Sequence, residues 1–348
     1  YEILSSDWSS DVCSSDLSLF SVFKLNFLFF VHFYYARIST LLKNQEIDVI
    51  HVCTPNISHA EISIAAMESG KHVMCEKPMA KTSEEAEAMI AAMNRTGKKL
   101  TIGYQNRFRK DSSYLHKICQ KGELGDIYNA KAHAIRRRAV PTWGVFLDEE
   151  AQGGGPLIDI GTHALDLTLW MMNNYKPKYV VGNTYHKLAQ TENAANAFGP
   201  WNPAEFTVED SAFGFIVMEN GATIYLESSW ALNSLDVGEA QTTLHGTNGG
   251  ADMKDGLRIN GEADGMMYDK TMVLEPGGVD FYDGSGDDPA YLEAKQWIES
   301  IQNDTEPVVS PEQALVVTQI LEAIYQSAKT GAPVYINQHK EELGKILV

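Results

Sequence analysis

The chain has 348 residues, 44% of them hydrophobic and 21% charged, which is the composition of a soluble globular protein large enough for two domains. Its formal net charge of −18, from 28 basic and 46 acidic residues, argues against sequence-independent binding to nucleic acid, which requires a basic surface. Anionic cofactors are not excluded, since backbone amides and a few cations hold them locally.

The four cysteines are Cys13, Cys53, Cys75 and Cys119, and no two of them form a Cys-x-x-Cys pair. Two of them, Cys53 and Cys75, lie in apolar runs typical of strands. We therefore predict reduced thiols, a reducing compartment such as the cytoplasm, and no cysteine-based metal site.

The first 37 residues differ in character from the rest of the chain. The tripeptide Ser-Ser-Asp occurs three times, at 5–7, 9–11 and 14–16. The apolar run that follows is interrupted by Lys24, Asn26 and His32, so it lacks the ~18 uninterrupted apolar residues of a membrane helix. Because the repeats resemble translated sequencing-adapter sequence, we expect residues 1–37 to be foreign to the protein. The alternative is an unusual native extension.

Residues 38–126 alternate between short apolar strands and helices. Strands are predicted at 47–53, 72–75 and 99–104. Between them, Asn56 or Ser58 is expected to cap one helix, and the capping box Thr82-Ser-Glu-Glu85 opens a second that stops at Gly97. This alternation indicates βαβ units and a parallel sheet.

Polar residues follow each of these strands, in the segments Thr54-Pro-Asn56, Glu76-Lys-Pro78 and Gln105-Asn-Arg107. Ligands of parallel sheets gather at the carboxyl ends of the strands, so a cofactor or substrate is expected here. Pro78 favours an extended backbone at Lys77 and thereby directs its ammonium from a strand end. The alternative for Lys77 alone is a solvated surface lysine.

The second half of the chain reads as an open, largely antiparallel sheet with helices. The strand Ile127–Ile135 leads into Arg136-Arg-Arg138 and then Trp143. These arginines either form a solvated patch or bind a hydroxylated or acidic substrate. The later strands alternate between apolar and polar residues, and Asn220-Gly221 predicts a hairpin. Residues 276–288 are predicted to form a surface loop, and two amphipathic helices are predicted at 291–302 and 311–330.

A glycine-rich turn, Gly153-Gly-Gly-Pro156, opens a helix that carries Asp159 and His163. Residues four apart project from one face of a helix, where a carboxylate can orient an imidazole that serves as a general base. The alternative is an ordinary helix start with a core histidine. A metal site on these two residues fits the spacing but has no convincing third ligand.

Taken together, these motifs resemble the Gfo/Idh/MocA oxidoreductases, the relatives of glucose–fructose oxidoreductase and inositol dehydrogenase. The resemblance runs from about residue 38 to the C-terminus. It is carried by Cys53-Thr-Pro-Asn-Ile-Ser-His59, Gly70-Lys-His-Val-Met-Cys-Glu-Lys-Pro78, Gly153-Gly-Gly-Pro-Leu-Ile-Asp-Ile-Gly-Thr-His163 and Ala323-Ile-Tyr-Gln-Ser-Ala-Lys-Thr-Gly-Ala-Pro-Val334. It implies an α/β protein, with a Rossmann domain of which residues 38–126 remain and a substrate-binding and oligomerisation domain over 127–348.

The resemblance also implies oxidation or reduction of a sugar or polyol hydroxyl with NAD or NADP, in a homo-oligomer formed through the C-terminal sheet. Lys77, Asp159 and His163 are then the catalytic residues, with His163 as the base. The expected cofactor-binding residues are Thr54, Pro55, Asn56, His59, Glu76, Lys77 and Gln105. The expected substrate contacts are Arg107, Arg136, Arg138 and Trp143.

The chain departs from the family's pattern before its first recognisable strand. A Rossmann domain begins with strand, Gly-x-Gly-x-x-Gly and helix, yet no glycine precedes Gly70. The strand at 47–53 then corresponds to the fourth of the family's sheet, with the first three missing or replaced. We therefore expect weak dinucleotide binding, an uncovered sheet edge and a tendency to aggregate.

Three interpretations follow from these patterns. The first is an NAD(P)-dependent sugar or polyol dehydrogenase or reductase. The second is a hydrolase or lyase that retains NAD and cleaves glycosidic bonds through transient oxidation. The third is an inactive fragment or sugar-binding relic.

Overall fold

The computed structural model describes residues 3–5, 38–273 and 288–336, which form two sheets and the helices that pack on them. The loop predicted at 276–288 lies, apart from its last residue, outside the described residues. The same holds for the segment 1–37, apart from the short strand at 3–5.

The first sheet has four parallel strands in chain order: β1 (Ile3–Ser5), β2 (Val49–Cys53), β3 (His72–Glu76) and β4 (Leu100–Gly103). Residues 38–43 end a helix ahead of β2, and three further helices follow: α1 (His59–Glu68), α2 (Ser83–Thr96) and α3 (Lys110–Gln120). The expectation of an uncovered β2 edge was wrong over three residues, because Ile3 to Ser5 pair with His51 to Cys53.

Local sequence signals set both ends of α2 but not the start of α1. The Thr82–Glu85 capping box is present, and Gly97 ends α2 in the left-handed conformation that glycine adopts without a steric penalty. The prediction that Asn56 or Ser58 caps α1 was wrong. The Ser58 hydroxyl donates to Thr54 Oγ1 and to the Pro55 carbonyl and accepts no hydrogen bond from the helix. The Asn56 amide donates to the Gln152 carbonyl.

The second sheet has nine strands in the order β12-β11-β10-β9-β5-β8-β7-β6-β13. These are β5 (Ile127–Ile135), β6 (Pro177–Tyr185), β7 (Ser211–Met218), β8 (Thr223–Ser229), β9 (Gly238–Gly246), β10 (Gly249–Asp252), β11 (Arg258–Ala263), β12 (Met266–Thr271) and β13 (Val334–Tyr335). Every neighbouring pair is antiparallel except β5 and β8, and Asn220-Gly221 forms the predicted β7–β8 turn. The predicted α/β fold with a parallel and a mostly antiparallel sheet is confirmed.

The helices of the second half are α4 (Glu149–Gln152), α5 (Thr162–Met172), α6 (Pro289–Gln302) and α7 (Pro311–Thr330), with a π-helical turn at Leu157–Gly161 ahead of α5. Helix α5 packs on β5 and β9, and α7 packs on β6 and α2. No helix within 38–273 or 288–336 has the length and apolar character needed to cross a membrane.

Candidate active site

Lys77 stands at the end of β3, where a cis peptide bond joins it to Pro78. Its Nζ lies 2.8 Å from Asp159 Oδ1 and donates a second hydrogen bond of 2.9 Å to the Asp159 backbone carbonyl. The predicted strand-end lysine is thus brought to the glycine-rich turn of the other half of the chain. A lysine anchored at both contacts presents its charge at a defined point instead of sampling solvent.

Asp159 occupies the π-helical turn, and both of its carboxylate oxygens are used. Oδ1 accepts from Lys77, and Oδ2 accepts from Trp230 Nε1 at 2.9 Å. Burial raises the pKa of Asp159, but the Lys77 ammonium, the Arg136 charge and the Trp230 hydrogen bond outweigh it, so the pKa falls below its ordinary value. Asp159 is therefore an ionised carboxylate at neutral pH.

His163 lies in the first turn of α5, and its Nδ1 is buried without a hydrogen-bond partner. Burial and the nearby Lys77 charge lower the pKa of His163 to about 3, so the imidazole is neutral at physiological pH and has a lone pair available. The Tyr104 ring packs edge-on against it at a centroid distance of 6.0 Å. The cluster therefore combines a neutral imidazole with the Lys77 ammonium and the Asp159 carboxylate.

The predicted orienting contact between Asp159 and His163 is replaced by another arrangement. Because Lys77 and Trp230 occupy the carboxylate oxygens, Asp159 acts on His163 only through its charge, which opposes part of the lowering of the imidazole pKa. The sequence pattern had identified two groups of this cluster correctly but not the contact between them.

The glycine-rich turn rests on a buried carboxyl that the sequence analysis did not single out. Glu209, only 3% exposed, accepts from the backbone N–H groups of Gly155 and Leu157 and from the Tyr325 hydroxyl, at 2.9, 3.1 and 2.9 Å. A Cβ at Gly154 would overlap the Tyr325 hydroxyl, and one at Gly155 would overlap the Glu209 carbonyl oxygen. The glycines are needed because the turn lies directly against these two residues.

The carboxyl end of β2 supplies the expected polar groups, though not all of them are free. Thr54 and Asn56 are partly buried, and the Asn56 amide ties this end to α4. His59 is fully buried, and its two ring nitrogens lie 2.8 Å from the carbonyls of Pro78 and Thr54. His59 therefore joins the two strand ends, and we do not retain it as a direct cofactor contact.

Glu76, at the end of β3, forms an ion pair with His51 of β2, with Nε2 and Oε1 3.2 Å apart. Cys53 lies close enough for the three groups to have metal-ligand spacing. Burial lowers the pKa of His51, but hydrogen bonds to Cys53 and Glu76 outweigh this effect and raise it to about 10. We describe this cluster as a charge pair between His51 and Glu76.

Arg107 was expected to contact substrate, but the structure places it in the core. It is 1% exposed, pairs with both oxygens of Asp166, and donates further hydrogen bonds to the Val308 carbonyl and to Gln313. Its guanidinium is fully engaged by these partners. We therefore do not retain Arg107 as a substrate contact.

The remaining predicted substrate residues lie beyond β5. Arg136 makes a bidentate pair with Glu239 at 2.6 and 2.8 Å, and its charge acts on Asp159 and His163. Arg138 donates to Asn233 Oδ1. Trp143 packs edge-on against Phe146, which in turn packs against Trp230. The structure thus links Arg136 and Trp143 to the Lys77–Asp159 cluster and gives Arg138 a separate partner.

Trp230, Glu209 and Tyr325 are the residues that sequence reasoning missed. Trp230 directly follows β8, whose carboxyl end lies beside that of the parallel strand β5. Tyr325 lies within one of the motifs that carried the family resemblance, but nothing in that motif indicated a role for it. Glu209 is followed directly by a second acidic residue, Asp210, just ahead of β7, and nothing in the local sequence indicates that its carboxyl is buried.

The strand ends fit one part of a dinucleotide. Thr54, Asn56, Glu76 and the exposed Gln105 offer hydroxyl, amide and carboxylate groups at the ends of β2, β3 and β4. This mixture of donors and acceptors suits ribose hydroxyls and a carboxamide. A glycine-rich phosphate turn ahead of β2 is not encoded, since the first glycine of the sequence is Gly70.

A parallel sheet with polar strand ends, next to a lysine–carboxylate–histidine cluster, is the arrangement expected of a dinucleotide-dependent oxidoreductase. Comparison with known families supports this class. The family's NAD-binding Rossmann profile matches residues 22–104, and the profile of its C-terminal α/β domain matches residues 117–336. The chain belongs to the Gfo/Idh/MocA oxidoreductase family, and its cofactor is NAD or NADP. The match begins at residue 22, inside the segment that was expected to be foreign.

Two relatives of known sequence illustrate the similarity. The chain is 36% identical over 291 residues to the D-glucoside 3-dehydrogenase of Escherichia coli (strain K12), an alignment that covers 82% of this chain and 79% of the relative. It is 33% identical over 207 residues to a putative UDP-kanosamine synthase oxidoreductase subunit of Amycolatopsis mediterranei (strain S699), covering 57% of this chain and 55% of that protein.

Solved structures show the same fold. The aldose-aldose oxidoreductase of Caulobacter crescentus, complexed with glycerol, has a TM-score of 0.68 at 26% identity and covers 86% of this chain and 83% of its own. A levoglucosan dehydrogenase complexed with NADH and levoglucosan has a TM-score of 0.72, covering 86% of this chain and 83% of its own. At 22% identity it supports the fold alone.

Proposed function

We propose that this chain transfers hydride between a hydroxyl-bearing carbon of a sugar or polyol and NAD(P). The observation that carries the proposal is the neutral His163 imidazole, with its unpartnered Nδ1, beside the Lys77–Asp159 pair. A carbohydrate substrate is supported by the similarity to the E. coli D-glucoside 3-dehydrogenase. We further propose residues 38–126 as the cofactor domain, residues 127–348 as the substrate and oligomer domain, and the cytoplasm as the location.

Each residue of the cluster has a distinct role in this proposal. NAD(P)⁺, when bound, supplies the hydride acceptor. His163 accepts the hydroxyl proton of the substrate, since its imidazole is neutral and one ring nitrogen carries a lone pair. The Lys77 ammonium stabilises the negative charge that develops on the substrate oxygen as that proton leaves. In the reverse direction, the protonated imidazole returns the proton.

Asp159 serves this chemistry by holding Lys77 in place. Two hydrogen bonds from Lys77 to one residue fix the ammonium, and the carboxylate balances its charge within a buried site. Thr54, Pro55, Asn56, Glu76 and Gln105 are proposed to line the cofactor. Arg136, Arg138 and Trp143 are proposed to face the substrate, with the arginines favouring neutral or anionic polyhydroxylated compounds.

The test is a turnover screen of the 348-residue chain with sugars, glycosides, polyols and cyclitols. Formation of NADH or NADPH is followed for each compound, and the cleavage products of glycosides are analysed alongside. We expect substrate-dependent reduction of one cofactor, and we expect Lys77→Ala and His163→Ala to lower turnover by roughly 10²–10⁴-fold. Glycoside cleavage without net NAD(P)H would favour the retained-cofactor alternative.

Matched controls are available in the same chain. Lys117 of α3 and His186 are both exposed. Lys117→Ala and His186→Ala are therefore expected to retain normal turnover. Activity of the Lys77 and His163 variants within a few-fold of the parent would contradict the proposed roles.

A further inference from the structure

We propose that Glu209 is a positioning residue whose ionised carboxylate caps the start of the segment that carries Asp159 and His163, so that the reaction requires Glu209 to be deprotonated. This inference rests on the proposed function, because it assigns Glu209 a role in the same reaction. Glu209 has no direct place in the chemistry and acts through the glycine-rich turn.

The segment has no cap of its own. Pro156 precedes the π-helical turn and offers no side-chain acceptor to the helix start. Free N–H groups at a helix start carry partial positive charge and attract an anion. Glu209 supplies that anion from a distant part of the chain, with one oxygen accepting from Gly155 N–H and the other from Leu157 N–H.

A short path leads from this cap to the catalytic carboxylate. Gly155 donates its N–H to Glu209 Oε2, while its carbonyl accepts from Asp159 N–H at 3.0 Å. Asp159 in turn holds Lys77 and Trp230. A change at Glu209 therefore reaches Lys77 through one residue of the turn and Asp159, and His163 follows in the next turn of the same segment.

The hydrogen-bond partners of Glu209 favour its ionised form. All three partners of Glu209 are donors: the Gly155 and Leu157 N–H groups and the Tyr325 hydroxyl. A carboxylate accepts from all three, whereas a protonated carboxyl must itself donate and finds no backbone acceptor among them. The Tyr325 hydroxyl can reverse its role and accept that proton, but the neutral carboxyl has no charge and one acceptor site fewer, so protonation weakens its hydrogen bonds to the turn.

Few titratable groups face Glu209. Tyr325 of α7 donates to it, and Glu149 of α4 acts on Tyr325. Asp210, the next residue, turns instead towards the backbone N–H groups of Leu188 and Ala189 and the Ser211 hydroxyl. With no cation among its close partners, burial dominates and raises the pKa of Glu209 to about 7, although its three hydrogen bonds oppose the rise.

The other ionisable groups of the cluster that show shifts titrate elsewhere. The pKa of His163 lies at about 3, and that of Asp159 lies below its ordinary value. We therefore expect Glu209 to be the group of this cluster that titrates near neutral pH.

The first test does not depend on turnover. The indole N–H of Trp230 donates to Asp159 and so reports on the position of that carboxylate. In isotope-labelled protein its NMR resonance, assigned with Trp230→Phe, is followed across the neutral pH range. We expect a titration with a midpoint near the Glu209 pKa of about 7. An indole resonance that does not titrate in the parent protein would overturn the proposal.

Two variants identify the titrating group. In Glu209→Gln the titration is expected to vanish, and in Tyr325→Phe its midpoint is expected to rise, because the lost hydroxyl donor had lowered the Glu209 pKa. Tyr325→Phe keeps the ring, so it remains informative if Glu209→Gln does not fold. A midpoint unchanged in Tyr325→Phe, or a titration that persists in Glu209→Gln, would show that Glu209 is not the group.

The second test is the pH profile of turnover with the substrate found above. The parent is expected to lose kcat below the Glu209 pKa with little change in KM, and Glu209→Gln to be slow without that acidic limb. Glu209→Asp, which restores the charge, should recover part of kcat. If no compound yields NAD(P)H at any pH, the proposed function fails, while the indole titration still decides the role of Glu209.

Discussion

Lys77 and Asp159, 82 positions apart, share two hydrogen bonds: the ammonium donates to a carboxylate oxygen at 2.8 Å and to the backbone carbonyl at 2.9 Å. The contact joins the end of a strand of the parallel sheet to the turn ahead of α5. It places a cation and an anion next to His163 and sets the electrostatics of the candidate site.

Removing the Trp230 hydrogen bond should weaken this arrangement. In Trp230→Phe, Asp159 loses one donor, its pKa rises, and we expect kcat/KM to fall by roughly tenfold, the value of one hydrogen bond to a charged group. Trp201→Phe is the control, since Trp201 is also buried and donates one indole hydrogen bond, but to the Ala189 carbonyl. Equal kcat/KM losses in the two variants would contradict a specific role for Trp230.

Breaking the Arg107–Asp166 pair should destabilise the fold. Arg107→Met leaves the Asp166 carboxylate buried and unpaired, at an expected cost of about 3–5 kcal/mol in the free energy of unfolding. Urea denaturation measures this change in the free energy of unfolding. The double variant Arg107→Met/Asp166→Leu should recover much of the loss, since no buried charge remains. Arg95→Met, which breaks the exposed pair with Glu68, should cost no more than about 1 kcal/mol.

Gly154→Ala and Gly155→Ala should respond differently to a second substitution at Tyr325. A Cβ at Gly154 meets only side-chain atoms of Tyr325, whereas a Cβ at Gly155 meets the backbone oxygen of Glu209. Both alanine variants are expected to lower the free energy of unfolding. When Tyr325 is also replaced by Ala, Gly154→Ala should lower the free energy of unfolding by less, whereas the effect of Gly155→Ala should stay the same. A double-mutant cycle by denaturation measures the coupling, and equal coupling for both glycines would refute this account.

Stability should fall as the pH drops from about 6.5 towards 4, partly because of His116. Burial, with a contribution from the Arg107 charge, lowers the pKa of His116 from 6.5 to about 4, while its ring stacks on Trp170. In this window the unfolded chain binds a proton that the folded chain does not, so unfolding is favoured. His116→Phe keeps the stacking and should lose less stability over the same window in pH-dependent thermal unfolding. Parallel pH curves for parent and variant would exclude His116 as a source.

Much of the fold could be predicted because its signals are local. The Thr82–Glu85 capping box, the Asn220-Gly221 turn, the strand Ile127–Ile135 and the helix Pro311–Thr330 each depend on residues within a few positions of one another. The parallel pairing of β5 with β8 could not be predicted, since its partners, such as Asn129 and Thr223, are far apart in the chain and their strands look like those of any antiparallel sheet.

The sequence by itself determined which elements form and which residue types stand at the strand ends and in the glycine-rich turn, and it placed Lys77, Asp159 and His163 among the candidates. The tertiary structure alone decided what those groups touch. It buries Arg107 against Asp166 and pairs the Asp159 carboxylate with Lys77 and Trp230. It also places Glu209 against the backbone of the glycine-rich turn. The reason is physical: secondary structure follows from neighbouring residues, whereas burial and charge pairing depend on elements that meet only when the chain is folded.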